Sequence, residues 1–129
     1  MKLKYLLFSI ASTFIFAQKN IQTPFEKGNG NQTATYQEMN DFYENLALKF
    51  FTIQYLKKGE DDNGKPIYVV VYNPFSEKNI DKLRKEKAVL FINNGIHPGE
   101  PDGIDATMML MRDLAIGKIR KPKNFVVAA

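Results

Sequence analysis

The stretch AVLFINNGIHPGEPDG, residues 88–103, decides the fold of this chain. It begins with a continuous apolar run over residues 88–92, which is typical of a strand covered on both faces. A loop rich in asparagine, glycine and proline follows, and a helical pattern begins after it. Gly117 is expected to end that helix, and residues 123–129 start another apolar strand. The apolar face of the helix is formed by Ile104, Met108, Met111 and Ala115.

This order of strand, loop, helix and strand predicts a βαβ unit, in which ligands bind at the carboxyl ends of the strands. Upstream, Thr35 and Glu38 form a capping-box pattern at the start of a helix predicted over residues 36–49. Two strands are predicted next, over residues 51–55 and 67–72, and the Asn63-Gly64 pair between them favours a hairpin. The predicted fold class is therefore α/β, with a mixed β-sheet and flanking helices.

The N-terminal segment has the pattern of an export signal. Lys2 and Lys4 precede an apolar run over residues 5–16, which is short for a membrane span, and Ala17 offers a small residue for cleavage. We predict a signal peptide over residues 1–17, with an uncleaved anchor as the alternative. Residues 18–34 are expected to be an extended lead-in, because glycine, asparagine, glutamine and threonine dominate them. The protein is expected to be periplasmic or secreted, without a stable membrane anchor after cleavage.

Composition excludes some other classes of protein. The sequence has 18 basic and 14 acidic residues, and removal of two signal lysines leaves a net charge of +2. The lysines are scattered among acids without an aromatic stripe, so we expect a solvated surface and no nucleic-acid partner. The chain has no cysteine, so an exported product is held together by its core and not by disulfides.

The loop within residues 88–103 carries a pair of potential metal ligands. His97 and Glu100 stand three residues apart on a turn made by Pro98 and Gly99, and imidazole nitrogen and carboxylate oxygen both bind zinc. The alternative for the only histidine of the chain is a solvated surface residue. Asp102 and Asp105 fall in the first helical turn, where they are expected to stabilise the helix; a hydrogen bond to His97 is the alternative role for either.

In its full context, His-Pro-Gly-Glu between a strand and a helix resembles the first metal-binding motif of the zinc carboxypeptidase family (metallocarboxypeptidase A-like). The resemblance implies that residues 35–129 are the N-terminal part of a catalytic domain and that His97 and Glu100 are its first two Zn2+ ligands. It also implies that the distal histidine, the catalytic glutamate and the substrate-binding arginines lie beyond Ala129. The sequence is accordingly expected to be an N-terminal fragment that is inactive alone.

The function implied by this resemblance is zinc-dependent hydrolysis of peptide bonds in a peptide or protein substrate, by metal-activated water. Two alternatives remain open. One is a zinc amidohydrolase or deacylase of the aspartoacylase kind, whose metal loop looks similar. The other is a non-catalytic exported binding domain that keeps the loop but lacks the later residues.

Overall fold

The computed structural model describes residues 21–75 and 77–129. The predicted signal peptide, residues 1–17, lies outside the described residues. Within them, no helix has the length and apolar character needed to cross a membrane. The helices are α1 (Pro24–Lys27), α2 (Tyr36–Lys49), α3 (Ile80–Glu86) and α4 (Asp102–Ala115), and the strands are β1 (Ile53–Glu60), β2 (Pro66–Tyr72), β3 (Ala88–Phe91) and β4 (Phe125–Ala128).

The four strands form one mixed sheet in the order β1-β2-β4-β3. β2 pairs antiparallel with both β1 and β4, whereas β3 and β4 are parallel and are connected through α4. The predicted βαβ unit and the α/β class with a mixed sheet are thus confirmed.

Helix α2 has the bounds that its sequence predicts. The Thr35 hydroxyl accepts a hydrogen bond from the Glu38 N–H at 3.3 Å, and the Glu38 carboxylate accepts one from the Thr35 N–H at 2.9 Å. This reciprocal capping box provides partners for backbone N–H groups that the helix itself leaves free. Tyr43 and Leu46 are the buried residues of the helix, 5% and 1% exposed, and they hold it against the core.

The hairpin between β1 and β2 forms as predicted, but its turn is organised by a different residue. Gly64 adopts a positive φ of 75°, whereas Asn63 does not. The Asp61 carbonyl accepts a hydrogen bond from the Gly64 N–H, and the Asp61 carboxylate accepts the N–H groups of Asn63 and Lys65 at 2.9 and 2.8 Å. A carboxylate that bonds to the backbone two residues on is a standard stabiliser of turns.

The main core lies between one face of the sheet and helices α2 and α4. The core consists of apolar side chains, and burial of such side chains is the dominant favourable contribution to folding. They are Tyr43 and Leu46 of α2, Ile53 of β1, Val70 and Tyr72 of β2, Met108, Met111 and Leu114 of α4, and Val127 of β4.

The prediction that residues 88–92 form a strand covered on both faces is wrong. β3 is at the edge of the sheet, and Val89, Leu90 and Phe91 are 45%, 48% and 63% exposed. The strand with the buried pattern is its parallel neighbour β4, where Val126 and Val127 are 3% and 2% exposed. A run of apolar residues indicates what a strand would gain from burial, but the order of strands decides which one has neighbours on both sides.

The prediction of an extended lead-in also needs correction for the described part, residues 21–34. Thr23 caps the short helix α1 through a second capping box with Glu26, and Thr23 is fully buried. Arg112 of α4 donates hydrogen bonds to the Ile21 carbonyl and to the Glu26 carboxylate. The partners in these two contacts are 91 and 86 residues apart in sequence, so the local composition of residues 21–34 did not indicate them.

Candidate metal centre

The loop that follows β3 leaves the carboxyl end of that strand and enters α4. Its tip turns at Pro98 and Gly99, and Gly99 has a φ of 83°, a conformation that glycine adopts without the strain of a side chain. The turn brings His97 and Glu100 together, with Nδ1 of His97 3.0 Å from Oε2 of Glu100. The structure therefore places the two predicted ligands side by side at the carboxyl end of a parallel strand.

The donor atoms of this pair suit a zinc ion in chemistry and spacing. Two ligands each about 2.1 Å from a tetrahedral zinc ion lie about 3.4 Å apart, so His97 and Glu100 would need to separate by only about 0.4 Å. Both side chains are 66% exposed, so an ion can reach them from solvent. The residues present thus fit part of a zinc site.

The pair is not a complete metal site by itself. Among residues 21–75 and 77–129, no three or more His, Cys, Asp or Glu side chains are grouped so that they could hold a metal ion. Zinc sites in catalysis use three protein ligands and one open position. A complete zinc site would therefore need a third protein ligand in addition to His97 and Glu100.

The two aspartates after the loop have separate environments. Asp102 is exposed in the first turn of α4, whereas Asp105 is 4% exposed and accepts a hydrogen bond from the Ala34 N–H at 3.3 Å. Both lie where the helix dipole favours negative charge, as predicted. The partner that the structure gives His97 is Glu100, and Asp105 instead fixes the lead-in to α4.

The base of the loop is held by residues that the sequence did not single out. The side-chain amide of Asn94 donates hydrogen bonds to the Gly103 carbonyl, at 2.8 Å, and to the Thr107 hydroxyl. Thr107 is 5% exposed, so its hydroxyl points into the protein. The sequence does show an asparagine after the strand and a glycine early in the helix, but it does not show that these residues contact each other.

A groove of about 540 Å³ adjoins this loop at Asn93, Asn94 and Gly95. The rings of Tyr55 and Tyr68 stack there with their centroids 4.3 Å apart. Burial raises the pKa of Tyr55, and its hydroxyl donates a hydrogen bond to Asn40. Phenol and amide groups therefore line much of this surface, and Asp61 and Lys65 add one charged side chain of each sign. Its other aromatic and apolar lining includes Tyr36, Met39, Tyr43, Ile67 and Ile104.

Comparison of the chain with protein-family models gives no match, and comparison with curated proteins gives none either. The assignment of His97 and Glu100 therefore depends on their chemistry, their spacing and their place in the βαβ unit. What the fold itself shows is an α/β chain whose exposed histidine and glutamate meet at the carboxyl end of a parallel strand.

Proposed function

We propose that this chain supplies part of the active site of a zinc metallocarboxypeptidase, with His97 and Glu100 as two of three protein ligands. The observation that carries the proposal is the 3.0 Å approach of Nδ1 and Oε2 on an exposed turn after β3. The turn follows the carboxyl end of β3, and α/β folds bind ligands at the carboxyl ends of their parallel strands. The sequence resemblance to the zinc carboxypeptidase family adds the reaction type.

When bound, zinc lowers the pKa of a coordinated water and polarises a carbonyl group. In this chain His97 would provide an imidazole nitrogen, and Glu100 would provide a carboxylate oxygen that partly offsets the charge of the ion. The third ligand, the glutamate that accepts the proton of water and the arginines that bind a carboxylate are proposed to lie beyond Ala129.

The groove beside the loop supports a peptide or protein as the substrate. It begins at Asn93–Gly95 and is lined mostly by tyrosines, amides and aliphatic side chains, with Asp61 and Lys65 among them, a combination that suits peptide groups. Its volume of about 540 Å³ is within the range of small-ligand sites, roughly 300–1,000 Å³.

The experiment uses the complete product of the gene that encodes this chain. Zinc content and hydrolysis are measured for the unmodified protein and for His97→Ala, Glu100→Ala and Asp102→Ala. The first two variants should lose zinc and retain only background hydrolysis, because each removes a ligand. Asp102→Ala is the matched control, since it removes an exposed carboxylate two residues from Glu100. Full activity with stoichiometric zinc in His97→Ala would refute the proposal.

The choice of substrates separates the alternatives. Peptides with a free C-terminal carboxylate should be cleaved, and the same peptides with an amidated C-terminus should not. Cleavage of N-acylated amino acids alone would identify an amidohydrolase of the aspartoacylase kind. Zinc-free protein that binds peptides without cleaving them would identify the exported binding domain.

We also propose that the protein is exported through cleavage of residues 1–17. N-terminal sequencing of the product from outside the cytoplasm tests this directly. The expected first residue is close to Gln18, whereas a product that still starts at Met1 would contradict signal cleavage.

A further inference from the structure

We propose that Asn94, with Gly103 and Thr107 of α4, forms a positioning device for the zinc ligands, which we name the Asn94 latch. The inference rests on the proposed function, because it assigns a role toward zinc to residues that are not ligands. Its structural part stands on contacts that do not involve a metal.

The Asn94 latch closes the loop at its base. Asn94 is three residues before His97, and Gly103 is three residues after Glu100. The Asn94 amide donates to the Gly103 carbonyl at 2.8 Å and to the Thr107 hydroxyl, so it ties the start of the loop to the first turns of α4. Both ligands lie on the short segment between these two tied points.

Close packing at the same place leaves no room for larger side chains. A Cβ atom on Gly103 would lie 2.6 Å from Oδ1 and 2.9 Å from Cγ of Asn94, which is closer than atoms can approach. A Cβ atom on Gly95 would lie 2.8 Å from Cδ1 of Ile104, and Gly95 also has a φ of 67°. At Gly99, on the tip, an added Cβ would meet no atom within 4 Å. The base of the loop is therefore packed tightly, and its tip is in open space.

The ligands depend on this base because their own side chains are not packed. His97 and Glu100 are each 66% exposed, and the neighbouring Ile96 is 65% exposed. Their relative position is then set by the backbone of the loop, and the Asn94 latch sets the backbone. Groups that orient metal ligands in this way typically change metal affinity about 10- to 100-fold when they are removed.

Two substitutions at one position form the most controlled test. Thr107→Val removes the hydroxyl that accepts from Asn94 while keeping the branched shape of a buried side chain, and Thr107→Ser keeps the hydroxyl. We expect Thr107→Val to weaken zinc binding about tenfold. Thr107→Ser should bind zinc as the unmodified chain does, which separates the hydrogen bond from packing.

A second test uses the contact between Asn94 and Gly103. Gly103→Ala should displace the Asn94 side chain, lower the melting temperature and weaken zinc binding. In an Asn94→Ala background, Oδ1 and Cγ are absent, and the added methyl group meets only Cβ of residue 94, at 3.3 Å. Adding Gly103→Ala to that background should therefore lower the melting temperature much less than it does in the unmodified protein, and zinc binding should stay weak. If Gly103→Ala alone raises the melting temperature and preserves zinc affinity, the Asn94 latch is wrong.

Zinc affinity of the complete gene product is measured by competition with a chromophoric chelator, and the imidazole of His97 gives a second readout. Nitrogen-15 NMR reports Nδ1 and Nε2 of His97 separately, and the His97 signals are assigned by their absence from the spectrum of His97→Ala. In the unmodified chain zinc should bind at Nδ1, the nitrogen that faces Glu100. In Thr107→Val and Asn94→Ala this selectivity should decrease, which a loss of general stability would not produce in folded protein.

The outcomes separate the two proposals. If His97→Ala abolishes zinc binding while Thr107→Val and Asn94→Ala retain affinity and Nδ1 selectivity, the Asn94 latch is refuted and the zinc ligands stand. If His97→Ala binds zinc like the unmodified chain, the proposed function is refuted. In that case the metal-free spectrum still tests the geometry, because an Nδ1 resonance unaffected by Asn94→Ala would refute the positioning of His97.

Discussion

Two acid–base pairs, one near each end of α4, differ in their surroundings. Beside the N-terminal end, His97 and Glu100 are 66% exposed and have each other as hydrogen-bond partners. Near the C-terminal end, the Arg112 side chain is 9% exposed and its partner Glu26 is 28% exposed. Removing one member of a buried pair leaves an uncompensated charge, whereas an exposed pair contributes little to stability. The buried pair therefore suits holding the chain together, and the exposed pair suits binding an ion.

The buried pair belongs to a larger cluster. Arg112 also donates to the Ile21 carbonyl at 3.0 Å and to the Asp113 carboxylate at 2.8 Å, and Lys118 lies 2.8 Å from Asp113. Burial raises the pKa of Glu26, but hydrogen bonds from Arg112 and Thr23 outweigh it and hold the pKa below its ordinary value. The cluster thus fixes the lead-in to α4 through charges that all have partners.

The largest effect is expected from substitutions in the exposed pair, and it should fall on zinc affinity and not on the stability of the fold. His97→Ala should lower zinc affinity of the complete gene product more than 100-fold, roughly 3 kcal/mol or more, because a ligand is lost. Its free energy of unfolding without metal should change by less than about 1 kcal/mol. Chelator competition and urea unfolding of metal-free protein measure the two quantities. Marked destabilisation of the metal-free protein would show that the exposed pair holds the fold.

The reverse pattern is expected at the buried pair. Arg112→Met keeps an unbranched, apolar side chain but leaves Glu26 and Asp113 without their shared cation, so unfolding should become easier by about 3 kcal/mol. Zinc affinity of the folded protein should be unchanged. Arg84→Met is the matched control, because Arg84 pairs with Asp81 at 64% and 79% exposure, and it should cost at most about 1 kcal/mol. Equal losses in the two variants would contradict the difference drawn between buried and exposed pairs.

A smaller effect is expected at Asp105, between the two pairs. Asp105→Ala removes a partly buried hydrogen bond from the Ala34 N–H to a carboxylate, and hydrogen bonds to charged groups contribute about 1.5–3 kcal/mol. Asp102→Ala removes an exposed acid from the same helical turn and should cost about 0.3–1 kcal/mol through the helix dipole. Thermal unfolding of both variants makes the comparison. If Asp105→Ala lowers the free energy of unfolding no more than Asp102→Ala does, the helix dipole alone explains the stabilising effect of both residues.

The smallest effect concerns pH. Because the pKa of Glu26 is lowered on folding, its stabilising contribution is complete above its ordinary value of 4.5 and is lost as pH falls through the lowered pKa. Asp113 behaves likewise below its ordinary value of 3.8: burial raises its pKa, but Lys118 and Arg112 outweigh burial. Stability should therefore fall with acidification, and less steeply in Glu26→Gln. Urea unfolding at several pH values measures the slope, and an unchanged slope in this variant would contradict the role of Glu26.

Local features of the fold were predictable from the sequence. Helix α2 was predicted over residues 36–49 because its cap and its apolar spacing are both encoded within those residues. The turn that brings His97 and Glu100 together was predictable for the same reason, since proline and glycine between them restrict the backbone directly.

Features that depend on distant residues were not predictable in this way. The apolar residues of β3 look like those of a covered strand, and only the sheet order shows that Phe91 is 63% exposed. The Arg112–Glu26 pair joins residues 86 positions apart, and the contact of Asn94 with Thr107 spans 13. Such contacts follow from how elements pack, which no single stretch of sequence contains.

The groove beside the loop also gives residues 1–129 an intrinsic optical signal. The chain has no tryptophan and six tyrosines, and four of the tyrosines line the groove: Tyr36, Tyr43, Tyr55 and Tyr68. Intrinsic ultraviolet fluorescence therefore arises mainly from this one region. A peptide in the groove would displace water from these rings and alter their emission, whereas zinc at the proposed ligands His97 and Glu100 would lie outside it. Tyrosine emission from residues 1–129 would thus report an occupant of the groove without a label.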